Sequence, residues 1–215
     1  MRCGGVVGTT DLDSGLGRIW QIGSELDGSS SSLAHYHRIL IAATAIPGAF
    51  APVKLDGHSH LDGGVVTNML LGLDLDDFKE LARRLKARGI TAPVHIRLWA
   101  IVNLWVQPRE LAANVRSVSA IRDRGNSLMF ILKQQFTLTR YSELAQAVST
   151  GVPGLSMEFH YTAVPARFAD EPGSRKLFDQ EFMHELDATG YERGSGSNPW
   201  EETPFSPFDF GRGKR

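Results

Sequence analysis

The stretch from Ala42 to Asn68 constrains the fold of this chain more than any other part of it. Small residues from Ala42 to Ala45 lead through Ile46 into a break at Pro47-Gly48. Ala49-Phe50-Ala51-Pro52-Val53 follows, then an Asp56-Gly57 turn. A second short strand, His58-Ser59-His60-Leu61, then delivers Asp62 with Gly63 and Gly64 directly behind it. Glycines beside a carboxylate let the backbone turn tightly and approach other chain closely. An aspartate carried on such a strand end is expected in a groove at the edge of a sheet rather than on a solvated face.

Taken together, these residues resemble the patatin-like phospholipases, lipid acyl hydrolases that work with a Ser-Asp dyad. In that family an A-x-x-A-I-P-G-x-F-x-P-V segment precedes a strand, an Asp-Gly turn and a D-G-[GA] motif. The motif's aspartate is the catalytic base. Here it corresponds to Asp62, with Gly63 and Gly64 completing the motif and Asn68 matching an asparagine common shortly after it. Leu70 stands where the family often has proline. The resemblance extends loosely to Gly8–Gly15, which is similar to the strand and turn after the family's nucleophile, and to Leu177–Met183, Gly190-Tyr191 and Asn198-Pro199-Trp200 near the end.

The other half of that chemistry is a glycine-rich oxyanion loop and a G-x-S-x-G elbow, which exposes a serine beside backbone N–H donors. The sequence has no such elbow. Gly28-Ser29-Ser30-Ser31-Ser32 comes nearest, with Ser30 in the centre, but Ser32 replaces the second glycine, and the plainer reading is a helix cap. Gly194-Ser195-Gly196-Ser197 has the wrong spacing, and Gly4-Gly5-Val6-Val7-Gly8 precedes a strand and turn rather than a helix. The resemblance therefore implies an α/β fold of the patatin type without its N-terminal part: residues 1–192 form the C-terminal portion of the domain and 193–215 a flexible tail. It implies Asp62 as the catalytic residue, no metal and no organic cofactor, and a lipid or acyl ester as substrate of the intact protein, with transient contact at a membrane surface. The chain alone is expected to lack esterase activity and to expose a sheet edge and apolar surface. A non-catalytic remnant or binding protein is the alternative.

A third reading rests on His58 and His60. Asp56-Gly57-His58-Ser59-His60-Leu61-Asp62 also resembles the D-x-H-x-H signature of metal-dependent amidohydrolases. Alternate strand residues share a face, so both imidazoles could reach one Zn²⁺. That family needs a barrel of roughly 250 residues and further ligands, and only His95, His160 and His184 follow. Asp11 and Asp13 read first as a turn. Cys3, the single cysteine, has no base near it in sequence and excludes an intrachain disulfide. Trp99 and Trp105 read as core or interface.

Composition sets the remaining bounds. The 215 residues suffice for one sizeable core, and a formal net charge of −1 provides no field to attract nucleic acid. No apolar run approaches the roughly 20 residues of a membrane span, and the N-terminus does not read as a signal peptide. Along the chain, Cys3–Thr10 and Arg18–Ile22 predict a hairpin. A helix is expected from Leu33 to about Ala45, capped by Ser31 or Ser32. Asp77 and Glu80 have capping-box spacing for a helix carrying Phe78, Leu81 and Leu85 on one face, with Glu80 paired to Arg84 and Gly89 as its stop. Val94–Val106 reads as a strand buried on both faces, as in a parallel sheet. Glu110–Ser149 reads as helix broken near Gly125-Asn126, Leu155–Tyr161 as a strand with alternate residues inside, and Phe178, Phe182 and Leu186 as a helix ending at Gly190.

Overall fold

The computed structural model describes residues 5–22, 29–69, 72–108, 117–176 and 178–206. The chain is mixed α/β and divides into two compact units, Met1–Gly72 and Leu73–Arg215. Cys3, Gly28 and Leu70 lie outside the described residues.

The first unit is a four-stranded antiparallel sheet with one helix against it. Strands β1 (Gly5–Asp11) and β2 (Gly17–Ile22) form the expected hairpin. Its turn closes through Asp11 N–H to Leu16 O and Gly15 N–H to Asp11 O, both 2.9 Å, with Gly15 at φ 75°. Helix α1 (Ser30–Ala43) follows, then β3 (Val53–Leu55) and β4 (His58–Asp62), giving the order β2-β1-β4-β3. The cap of α1 is Ser29, not Ser31 or Ser32: its Oγ accepts from Ser32 N–H at 3.2 Å. Helix α1 turns Tyr36, Ile39 and Ala42 inward, at the spacing that puts residues on one helical face. Ile39 and Ala42 meet Trp20 and Leu55 in a small core, with Val7 and Val53 packed beside it.

In the second unit, α2 (Leu75–Ala87) starts one turn earlier than the Asp77–Glu80 spacing suggests. Asp74 is the N-cap and Asp77 completes the reciprocal box, its Oδ2 accepting from Asp74 N–H at 2.9 Å. Glu80 is thereby free to take Arg83 and Arg84, at 2.6 and 2.7 Å; their hydrogen bonds outweigh burial and hold its carboxyl down to about 2. Gly89, at φ 77°, ends the helix as expected. Because the cap alone satisfies the first amides, Asp74→Ala is expected to cost about 1 kcal/mol. A chemical-denaturation midpoint unchanged by Asp74→Ala would contradict this.

Strand β5 (Val94–Trp105), helix α3 (Val118–Gly151) and strand β6 (Leu155–Val164) form a β-α-β unit. The two strands pair in parallel from Val94↔Leu155 to Val102↔Ala163, with an irregularity before Trp105↔Val164. Leu155, Met157, Phe159 and Tyr161 point inward, as their alternation predicts. The expectation that β5 is buried on both faces does not hold. Trp99 is 46% and Ile101 78% exposed, because among the described residues the face of the sheet that carries them is left largely open. Nor does α3 break at Gly125: its backbone hydrogen bonding continues through a residue whose poor helix propensity a long helix tolerates. Gln134 and Gln135 are buried in it with their amide groups unpartnered among the described residues.

Helix α4 (Gln180–Ser195) runs on through Gly190, and the expected boundary between residues 192 and 193 falls inside it. Beyond it, Glu201 pairs with Tyr161 through both backbone groups, at 2.7 and 2.9 Å. Its carboxylate accepts from the Tyr161 hydroxyl at 2.8 Å and from Arg193 at 2.5 Å. Burial, then the Glu201 carboxylate, pushes the Tyr161 hydroxyl above its ordinary value. The segment expected to fray from Arg193 is thus tied to β6 as far as Glu201.

Candidate functional site

Strand β4 runs antiparallel to β1, with Thr9 opposite Asp62, Thr10 opposite Leu61 and Asp11 opposite His60. Opposed residues of such a ladder share a face, as do alternate residues of one strand. Thr9, Asp11, His58, His60 and Asp62 therefore belong to a single row of side chains. The row descends from solvent to core and back: His58 is exposed, His60 fully buried and Asp62 half-buried.

Asp62 is the last residue of β4, as expected of a strand-end aspartate, but β4 is an inner strand between β1 and β3 and not an edge of the sheet. Its N–H donates to Ala45 O at 3.1 Å and its C=O accepts from the Thr10 hydroxyl at 2.9 Å. Its Oδ1 accepts from Gly64 N–H at 2.7 Å, capping a single 3₁₀ turn over Gly63–Val65. Gly63 is buried against β1: a Cβ there would lie 2.6 Å from Gly8 O and 2.8 Å from Gly8 C. A Cβ on Gly64 would press on the Asn68 amide and on Asp62 Oδ1. The two glycines thus have separate duties. The first lets two backbones touch, and the second lets its own amide reach the carboxylate. One oxygen of Asp62 is fixed by that amide, and Oδ2 has no hydrogen-bond partner among the described residues.

The two histidines do different things. His60 Nδ1 lies 2.9 Å from Thr9 Oγ1, which already accepts from Trp20 Nε1 at 2.8 Å. The Thr9 hydroxyl can donate to Nδ1 or accept from it, since one of its two acceptor sites remains after Trp20, and His60 Nε2 has no partner among the described residues. Trp20 stands edge-on to His60 at 5.7 Å. His58 instead pairs with Asp11, Nδ1 to Oδ2 at 2.9 Å. The shared-face argument for one zinc between His58 and His60 thus meets two imidazoles with separate partners at different depths.

The residues that do gather are Asp11, Asp13 and His58, each offering a ligand atom within 4.8 Å of the others. All three are engaged within the fold. Asp11 Oδ1 accepts from Asp13 N–H at 2.9 Å, and Asp13 Oδ2 accepts from Ser59 N–H at 2.8 Å. For Asp11, burial raises the carboxyl; the Ser14 and Asp13 hydrogen bonds and His58 outweigh it and bring it to about 2. The turn reading of the Asp-rich loop accounts for these contacts. Sequence spacing could not bring His58 to Asp11, because nothing local specifies that β4 pairs with β1.

The serine run is a helix cap, as its plainer reading has it: Ser29 caps α1 by accepting from Ser32 N–H, and Ser30 is the first residue of the helix.

Burial lowers the His60 imidazole below its ordinary value; Asp11 opposes this, while Arg18 and His58 add to it. The folded state then binds the proton more weakly than the unfolded chain, whose histidine titrates near 6.5. The neutral ring's contribution to stability is complete above that pH and is lost progressively as pH falls below it. The melting temperature of the first unit is therefore expected to drop between pH 7.5 and pH 5.5. His60→Gln, which cannot charge, should flatten that dependence. A parent profile already flat over this range would contradict a neutral buried imidazole.

No known protein family matches the sequence. No curated protein matches it either.

Proposed function

We propose that this chain contributes the aspartate base of a Ser-Asp lipid acyl hydrolase with a patatin-type α/β fold. The observation that carries the reading is Asp62 at the end of β4, with Oδ1 held by Gly64 N–H and no partner for Oδ2 among the described residues. In the proposed reaction a serine hydroxyl attacks the acyl carbonyl and gives its proton to Asp62, and backbone N–H groups hold the oxyanion. Asp62 returns the proton to the departing alcohol, leaving an acyl-serine that water hydrolyses with Asp62 again as base. No metal or organic cofactor takes part. The substrate is a lipid acyl ester, met at a membrane surface. The sequence has no G-x-S-x-G elbow, so the serine comes from outside these 215 residues.

The test compares two proteins. The 215-residue chain is expected to hydrolyse p-nitrophenyl acyl esters no faster than its Asp62→Ala variant and to stay unlabelled by a fluorophosphonate probe. The chain joined in frame to a segment bearing a G-x-S-x-G elbow is expected to hydrolyse the esters and to lose that activity on Asp62→Ala. Labelling of the chain alone that Ser30→Ala abolishes would put the nucleophile in the serine run and overturn the division of labour.

A further inference from the structure

The second unit holds a cavity of about 550 Å³ between the ends of β5 and β6, helix α4 and the Pro199-Trp200 turn. Its walls are mostly apolar: Ile101, Val164, Leu186 and Trp200 contribute to them. A volume of this size is that of an ordinary small-molecule site. The helical wall is open because of two residues. Gly190 and Gly194 sit one turn apart in α4 and both line the cavity, and a Cβ on either would meet nothing within 4 Å. Glycine is a poor helix former, and its use twice in one helix wall leaves space that larger side chains would fill.

The polar side chains lining this cavity are Asn103, Thr162, Thr189 and Arg193, with Arg167 just outside the lining. Arg193 lines it but is already neutralised by Glu201, at 2.5 Å. Arg167 differs. Its guanidinium lies over the Phe168 ring at 4.7 Å and donates to the hydroxyl of Thr189, a lining residue, at 3.1 Å. Arg167 has no carboxylate partner among the described residues. The site thus offers an apolar chamber lined by the Thr189 hydroxyl, which holds beside it a guanidinium with no carboxylate partner among the described residues. A guanidinium on an aromatic face, with further N–H groups to give, is suited to binding a carboxylate.

From this geometry we infer that the cavity binds a long-chain monocarboxylate, its alkyl chain along Ile101, Val164 and Leu186 and its carboxylate toward Arg167 and Thr189. The inference does not rest on the role given to Asp62.

The test is calorimetric titration of the full chain with dodecanoate below its micellar concentration, beside dodecanol (the chain without the charge) and acetate (the charge without the chain). One saturable dodecanoate site per chain is expected, with dodecanol about tenfold weaker and acetate silent. Gly190→Leu should abolish the site without lowering the melting temperature, since leucine is the better helix former and enters open space. Leu186→Trp, which fills the chamber from a different position, should do the same. Arg167→Gln should reduce dodecanoate to the level of dodecanol. Three results would overturn the proposal: no saturable binding, binding unaffected by either filling variant, or dodecanol bound as tightly as dodecanoate. A concentration-dependent dimer that Gly190→Leu dissolves would also overturn it, by giving the groove to a helix of a second copy.

Discussion

Gly63→Ala is expected to destabilise the first unit by about 3 kcal/mol, the upper end of ordinary overpacking costs. The new methyl carbon would sit 2.6 Å from Gly8 O and 2.8 Å from Gly8 C. Both are backbone atoms in a strand paired on each side, to β2 and to β4, so neither can swing away. Relief requires β1 and β4 to part at the point where Thr9 faces Asp62. For a unit of this size the melting midpoint should fall by on the order of 15 °C. Gly64→Ala is the informative comparison. Its methyl would press mainly on the Asn68 amide, the far end of a side chain that can turn aside, and a cost of about 1 kcal/mol is expected. Circular dichroism melts of the two variants, with hydrogen exchange at the β1 and β4 amides, measure this. A Gly63→Ala protein melting within a few degrees of the parent would mean that the two backbones are not in contact.

Asp62→Asn should have the opposite profile, leaving the fold intact and removing the chemistry. The asparagine carbonyl can still accept from Gly64 N–H, so the 3₁₀ turn keeps its cap and stability should change by less than about 0.5 kcal/mol. What is lost is the ability to take a proton from the attacking serine. In the chain extended by an elbow segment, kcat is expected to fall by about a thousandfold or more, as when one member of a catalytic unit is removed. Because asparagine preserves the shape, a fall of this size with an unchanged melt separates a base from a structural carboxylate. An extended enzyme indifferent to Asp62→Asn would refute the proposed function while leaving the dodecanoate experiment untouched. Gly63→Ala and Asp62→Asn thus address different links: the first tests how the strand end is held, and the second what it does.

What sequence alone could determine is what is local in the chain. The hairpin of β1 and β2 was legible because turn formers separate two short runs with strand propensity. The start of α1 was legible to within a turn from its serines, and the inward residues of β6 from alternation, because side chains on a strand have a period of two. The place of Asp62 at a strand end followed from the glycines behind it. Errors of register, such as the caps at Ser29 and Asp74, arose where several residues of the same capping type stand in a row and only the backbone angles choose among them.

The tertiary structure decided what depends on pairing distant segments. Thr9 meets His60 across 51 positions, and no local pattern states that β4 lies beside β1 rather than another strand. That pairing sends His60 into the core and His58 to Asp11, where spacing alone did no more than allow both imidazoles on one ion. It also gives Gly63 its purpose, since the need for a bare Cα comes from Gly8, far away in the chain. Exposure of Trp99 and Ile101 was hidden for a related reason. An unbroken apolar strand announces burial, but whether a face is covered depends on which elements pack there, and hydropathy carries no record of a neighbour. Of the glycines of α4, Gly190 was legible only as a helix end and Gly194 only as part of a tail segment. Their meaning as the open wall of a cavity required β5, β6 and the Pro199-Trp200 turn to be in place around them.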